Sequence, residues 1–380
     1  LYRFRQHTEA EEHNLREIYK VQAVPSDNGL RKILDEVSSD ALRDSFPALF
    51  KKAEQSRVLN SFRSWRNHYI FSIDGVEHFC SKQVSCPHCM KRNHRDGTQS
   101  NYHAMLSAAL VNPDLREVLV VDNEPIINED GFQKNDCERN AAKRLLVNLQ
   151  KTHNEEDIIF TMDALYACSP LIKQIRQQPS WHYLIGVTEK GNKALFRQFD
   201  ELEQAGEIKW ERHKNKQETF VLGYANGLYL NDSAQDVKCN MLYCIWTDKK
   251  GREVIFSWVT DLPLTKRTAR KFMRIARSRW KIENEVFNTL KNQGYQFEHN
   301  FGHGIKNLCT NFAYLMMLAF CVDQLQQLAS SIFQQILAKL KTRVKFWEFM
   351  QSVFKLVPCV SMKNLYLKIA EVCRIKLESG

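Results

Sequence analysis

The sequence predicts an α/β protein: a mixed sheet with flanking helices, interrupted by a β-rich insertion and bracketed by helical N- and C-terminal regions. Three observations predict it. From residue 69 to 187, apolar, aromatic-rich runs of strand length alternate with helix-period stretches in the order three strands, helix, strand, helix, strand. A second group of short alternating segments follows, and both ends of the chain carry amphipathic helical patterns. The 380 residues suffice for two or three domains. We divide them into a helical N-terminal region (1–66), the first part of the core (67–187), the insertion (188–262), the helix that completes the core (263–304) and a helical C-terminal region (305–380).

The N-terminal region alternates helical stretches with the turn Pro25-Ser26-Asp27-Asn28-Gly29. Its scattered cations, among them Arg31, Lys32, Arg43 and Arg66, suit DNA phosphates and a solvated helical face equally. The first strand, His68 to Gly75, ends in Asp74, and further strands are expected at Tyr102 to Val111 and Glu117 to Asp122. A helix over Asp136 to Lys151 precedes the strand Asp157 to Ala164, which ends in Asp163. A short helix (Leu171 to Gln177) and the strand Trp181 to Val187 close this part. The insertion carries alternating segments at Glu207 to Glu211, Glu218 to Tyr224, Met241 to Thr247 and Glu253 to Val259, with turn signals at Ala225-Asn226-Gly227 and Asp248-Lys249-Lys250-Gly251. The ten-residue apolar run Ala313 to Val322 is too short to span a bilayer and reads as a buried helix.

One carboxylate stands where a helix should be apolar. At 100° per residue Phe272, Ile275, Ala276, Ile282, Val286, Phe287 and Leu290 form one arc, and Glu283 falls within it, with Arg279 one turn earlier; Glu285 points the other way. Burying a charge is costly unless a partner or a metal compensates it. Asp74 and Asp163, each at the end of a run that suits a doubly covered strand, supply two more carboxylates. Three hard oxygen donors suit Mg²⁺ or Mn²⁺, and a pair of such ions can hold the attacking and leaving oxygens of a phosphodiester. Each acid also has a plainer reading: Asp74 opening a turn at Gly75, Asp163 capping the next segment, Glu283 paired with Arg279 at i−4. Asp122 and Glu124, ending another apolar run, are rivals on physical grounds.

Strand-Asp74, strand-Asp163, then Arg279-Trp280-Lys281-Ile282-Glu283 with Phe287 and Lys291 following, resembles the DDE transposases of prokaryotic insertion sequences, and more narrowly the subgroup marked by a Tyr-Arg-Glu-Lys helix signature. The stretches Gly131 to Arg144 and Ile282 to Gly304 are similar to that group too, and the resemblance spans roughly residues 12 to 325. Arg279 and Glu283 keep the signature's spacing; Ala276 stands at the tyrosine position and Leu290 at the lysine position, one place before Lys291. The element order is also that of a ribonuclease-H-like core, whose first and fourth strands lie side by side and would bring Asp74 to Asp163. The resemblance decides for these acids over Asp122 and Glu124. It implies a Mg²⁺-dependent enzyme that cuts and transfers DNA strands, with Asp74, Asp163 and Glu283 holding the metal, and Arg279 and Lys291 at phosphates. Trp258, on the insertion's last strand, is a candidate for stacking on a flipped base, against the plainer reading of a core tryptophan. The implied partners are transposon ends and target DNA, bound by a homodimer. Alternatives are a metal-dependent nuclease or resolvase on the same core, and a non-catalytic DNA-binding protein derived from a transposase.

Composition agrees: 54 Lys and Arg against 44 Asp and Glu give a formal charge of +10, which favours a polyanionic partner. No secretory signal opens the chain, no membrane partner is expected, and eleven cysteines suit a reduced cytoplasmic, nucleoid-associated protein. Leu1 in place of methionine suggests that the natural N-terminus is missing. Cys86 and Cys89, with His94 nearby and Cys80 or His103 as a fourth donor, form a candidate zinc set, with packing or free thiols as the plainer reading. The remaining cysteines are scattered and read as core.

Overall fold

The computed structural model describes residues 8–127, 137–214, 218–299 and 301–378. The expected segment Gly131 to Asp136 therefore lies outside the described residues. The chain opens with helices α1 (Glu9–Tyr19), α2 (Asp27–Glu36), α3 (Ser39–Arg43) and α4 (Ser45–Gln55). Thr8, Ser26 and Ser38 cap the first three, their hydroxyls accepting from backbone N–H groups of the first turn. Strands β1 (Tyr69–Ser81), β2 (Met90–Asn93), β3 (Gln99–Val111) and β4 (Leu119–Ile126) follow, then helix α5 (Glu138–Thr152), strand β5 (Ile158–Met162), helix α6 (Ser169–Ile175) and strand β6 (Trp181–Gly186). Next come helix α7 (Lys193–Gln204) and strands β7 (Glu211–Lys214), β8 (Thr219–Tyr229), β9 (Lys238–Thr247) and β10 (Glu253–Thr260).

The ten strands among the described residues share one mixed sheet, in the order β2-β3-β1-β5-β6-β10-β9-β8-β7, with β4 paired to β3 beyond the end of β2. Its centre is parallel: β1 pairs with β5 from Tyr69↔Ile158 to Ser72↔Thr161, and β5 with β6 from Ile158↔Trp181 to Met162↔Ile185. These strands are buried along nearly their whole paired length, as parallel strands covered on both faces must be. The inserted strands do not form a separate sheet. Antiparallel pairing of Trp258, Val259 and Thr260 on β10 with Gly186, Ile185 and Leu184 on β6 continues the ladder without a gap.

Several expectations need adjustment. Residues 207–210 are irregular and the first inserted strand is Glu211–Lys214; Ile208 is buried, whereas Trp210 stays 37 % exposed with its ring edge-on to Phe199 and Tyr243. Helix α7, whose apolar face Leu195 and Phe199 is buried, was not foreseen, and neither was the short hairpin strand β2. The run Ala313 to Val322 belongs to the 22-residue helix α10 (Leu308–Ala329), which follows α8 (Lys266–Arg277), a π-helical turn (Ile282–Phe287) and α9 (Asn288–Asn292). Helix α10 packs against β4 and against α2, α3 and α4. The end regions are interlocked. The Asp35 carboxylate accepts from the backbone N–H groups of Lys306, Asn307 and Leu308 at the start of α10, at 3.0–3.1 Å. Helices α11 (Ser331–Leu340), α12 (Arg343–Leu356) and α13 (Met362–Val372) build a second small core. Buried Asn14 of α1 ties on to it, donating to the carbonyls of Phe354 and Val357 and accepting from Cys359 N–H.

Candidate functional site

Ser72 and Thr161 sit opposite one another on β1 and β5, and their hydroxyls are 2.7 Å apart in the buried sheet. Asp74 and Asp163 each lie two residues further along, so the period of two returns both to that same face. Pairing stops after Thr161, and the backbone of β5 turns away at Asp163, whose carboxylate accepts from Leu165 N–H at 2.8 Å. Asp74 accepts from Gly75 N–H at 2.9 Å. The plainer reading therefore holds for Asp163, which caps the segment after β5, but not for Asp74, because β1 runs on through Gly75 to Ser81 without a turn.

Arg279 lies in the turn between α8 and the π-helical segment. One of its terminal nitrogens, Nη1, is 2.6 Å from Asp74 and 2.7 Å from Glu283, which bridges strand and helix. Burial pushes the Asp74 carboxyl up to about 7; Glu283 adds to the rise, while Arg279 and the Gly75 N–H oppose it. One guanidinium does not balance these acids.

Glu283 is not buried, as the 100° wheel had it. Its side chain is 49 % exposed, and it is Glu285 that is the more covered, facing Arg116 at 3.5 Å. The wheel fails because the helix is not one α-helix. It breaks at Ser278 and Arg279 and then takes a π turn, in which Asn288 N–H bonds to the Glu283 carbonyl five residues back. Such turns slip the phase of the faces and recur at functional sites.

A fourth carboxylate escaped sequence reasoning. Glu138, the first residue of α5, accepts from the Tyr166 hydroxyl at 2.8 Å. It packs so closely on Gly75 that an added Cβ there would lie 2.6 Å from Glu138 Oε1. Burial, then Glu138, Asp74 and Asp163, raise the Tyr166 phenol well above its ordinary range, which keeps it protonated as a donor. Glu138 lay within the family-like stretch but had no strand-end position to mark it.

The rival acids are accounted for otherwise. Arg43 binds Asp122 through Nε and Nη2 and Glu124 through Nη1, while Arg144 takes the other Glu124 oxygen and Asn148 donates to Asp122. These acids are neutralised by protein alone.

Lys291 gives its ammonium to Glu298 at 2.7 Å. Trp258 is 7 % exposed, with its ring stacked on Phe256 at 5.8 Å, so protein already covers it. The exposed ring nearby is Trp280, 39 % exposed and next to Arg279 in sequence. Of the sulfur and imidazole set, Cys86, Cys89 and His103 converge, and the fourth member is His303. His94, at the tip of the β2–β3 hairpin, bonds Ser100 at 2.9 Å instead, and Cys80 is exposed on β1. Local spacing could not reveal a donor 200 residues from His103 in sequence.

Asp74, Asp163 and Glu283 offer only oxygen donors, a chemistry that fits a divalent cation such as Mg²⁺, although their carboxylates are not gathered within 4.8 Å of one another. Residues 94–322 match the family described as "Transposase DDE domain"; Asp163, Arg279 and Glu283 fall inside the matched stretch and Asp74 before it. No curated protein matches the chain significantly. Among solved structures the chain is similar to a piggyBac transposase synaptic complex with hairpin DNA (TM-score 0.39, 11 % identity, covering 99 % of this chain and 74 % of that one). It is also similar to the NurA nuclease from Sulfolobus solfataricus (TM-score 0.27, 13 % identity, covering 69 % and 97 %). Both likenesses are distant.

Proposed function

This chain belongs to the transposase DDE domain family, whose members cleave nucleic acid and normally use divalent metal ions, and from that premise we propose that it is an insertion-sequence transposase that cuts and transfers DNA strands. Within the family we assign it to the Tyr-Arg-Glu-Lys subgroup, on a ribonuclease-H-like core whose β-rich insertion is β7 to β10. The observation that carries the reading is the parallel register of β1 and β5, which supports Asp74 and Asp163 as neighbours on one face, with Arg279 joining Asp74 to Glu283 from the helix side.

Asp74, Asp163 and Glu283 would hold Mg²⁺ or Mn²⁺. When bound, such ions lower the pKa of an attacking water or 3′-hydroxyl and stabilise the leaving oxygen. The protein's own groups do the rest. Arg279 orients Asp74 and Glu283 and faces the scissile phosphate with a charge that binds it. Tyr166 and Glu138 fix the floor beside Asp74. Each step is a phosphodiester displacement, so no side chain acts as a nucleophile. Cutting two transposon ends together requires two active sites, which supports a homodimer on DNA in the cytoplasm.

The test uses labelled transposon-end DNA, a target plasmid and Mg²⁺. Wild type is expected to cleave the end and join it to the target. Alanine at Asp74, Asp163 or Glu283 should abolish both reactions while gel shifts still show end binding. Cleavage without joining would favour a nuclease or resolvase, and binding without either reaction a non-catalytic DNA-binding protein.

A further inference from the structure

We propose that Cys86, Cys89, His103 and His303 form a closed structural zinc site that ties the loop following the Glu283 helix to the strands of the core.

The four donor atoms converge on one point. Cys86 Sγ and Cys89 Sγ are 3.8 Å apart. His103 Nε2 lies 3.4 Å from Cys86 Sγ and 3.3 Å from Cys89 Sγ. His303 Nε2 is 3.3 Å from Cys89 Sγ and 3.1 Å from His103 Nε2, and all four atoms lie within 4.8 Å of one another. A tetrahedral zinc with ordinary bond lengths would set these edges at about 3.8 Å for S···S, about 3.5 Å for S···N and about 3.3 Å for N···N. The observed edges follow the same order and fall within a few tenths of an ångström.

Hydrogen bonding does not explain the cluster. His303 Nδ1 is 3.0 Å from the Gly304 carbonyl, which only accepts, so Nδ1 carries the hydrogen and Nε2 of the neutral ring presents a bare lone pair. The neutral cluster then holds at most one hydrogen each on Cys86, Cys89 and His103 for the five close contacts given above. Contacts without a hydrogen between lone pairs are repulsive unless a cation sits among them. The Gly304 bond is also the outer contact that fixes the tautomer of a ligating imidazole.

Burial and charge agree. Cys89 and His103 are each 3 % exposed and His303 is 8 % exposed, as a closed site requires. Binding Zn²⁺ forms two Zn–S and two Zn–N bonds and releases the two thiol protons to solvent. Two thiolates then balance the ion, so the buried centre is neutral. With four protein ligands no position is left for water or substrate, so the role is structural.

The donors come from well-held pieces. Cys86 and Cys89 span a turn closed by Cys89 N–H to the Cys86 carbonyl at 3.2 Å, and His103 lies on β3 opposite Phe79 of β1. His303 precedes Gly304, whose φ of +69° and close approach to the Asp35 carboxylate both require glycine. A cation here would fix the loop leaving the Glu283 helix to the end of the strand that bears Asp74.

The experiment starts from the full chain purified under reducing conditions without chelator. Elemental analysis is expected to find about one zinc per chain, released by a thiol-directed mercurial. Cobalt replacing it should give the visible absorption of a tetrahedral site with two sulfurs and two nitrogens. His303→Ala should weaken cobalt affinity by at least about 100-fold, more than the loss of an outer partner would cost. His303→Cys, which keeps a ligand should the alanine variant not fold, should shift the spectrum towards three sulfurs. His94→Ala and Cys80→Ser should leave it unchanged. Wild-type protein that neither carries zinc nor takes up cobalt would overturn the proposal, as would a spectrum lost in His94→Ala and kept in His303→Ala.

Discussion

Asp74→Asn should make the metal-free protein more stable relative to wild type as the pH rises. The wild-type carboxyl is raised from 3.8 to about 7, chiefly by burial. A carboxyl that holds its proton more tightly in the fold than in the unfolded chain costs stability as the pH climbs from the unfolded value towards the folded one, and the cost is level above that. Between pH 5 and pH 7 the fall is two units at about 1.4 kcal/mol each, or about 2.7 kcal/mol, and partial solvent access at 15 % side-chain exposure brings it nearer about 2 kcal/mol. Asparagine has no such term. The charge-assisted bond to Arg279 that it loses exists only where Asp74 is ionised and is already contained in the net shift to about 7, and Arg279 keeps Glu283. The quantity to measure is the stability of Asp74→Asn minus that of wild type, from urea unfolding at pH 5 and pH 8 in chelator; it should grow by about 2 kcal/mol. Mg²⁺ at 100 times its dissociation constant should then return about 2.7 kcal/mol to wild type and much less to the variant. A difference that is the same at both pH values would falsify the picture of a buried, under-compensated Asp74.

Glu285→Ala should leave cleavage and stability nearly unchanged, within about 0.5 kcal/mol, since Glu285 meets the 78 %-exposed Arg116 at 3.5 Å; a dead Glu285 variant beside an active Glu283→Ala would reverse their roles. Arg43→Met should cost about 3–5 kcal/mol in chemical denaturation because it strands the buried Asp122 carboxylate and leaves Glu124 to Arg144 alone, and adding Asp122→Asn should recover most of that; a cost under about 1 kcal/mol would show the pair to be solvated. Arg279→Ala should reduce end cleavage far more than end binding, and wild-type binding should fall steeply with salt; affinity that ignores salt would argue against phosphate contacts as its source.

Much of the central sheet was legible because its strands are unbroken apolar runs, and the acids that close those runs stood out; Asp163 does follow the end of β5, whereas β1 continues past Asp74 to Ser81. What stayed hidden depended on geometry that local patterns do not encode. The wheel placed Glu283 inside because it assumed one uniform period through a helix that breaks at Ser278 and slips at the π turn. The cysteine pair and His103 were readable from spacing, yet His94 was favoured as the nearer imidazole, and the hairpin turns its ring to Ser100. Glu138 is carried to Asp74 by helix packing over a glycine, and no sequence period signals that. Helix α7 was missed because its polar face dominates a short segment between strands.

The gapless ladder from β6 to β10 bears on how the chain is made. Trp181, Tyr183, Leu184 and Ile185 leave the ribosome with β5 already present for one side, but the strand that covers the other side starts at Glu253, about seventy residues later. At the 5–20 residues per second of synthesis, a nascent chain carries an apolar, unpaired sheet edge for roughly 4–14 s. Such an edge is a template for the same edge on a neighbouring nascent chain. The inserted segment therefore shields the core only once its last strand has been made, and a chain cut short within it would leave the β6 edge exposed.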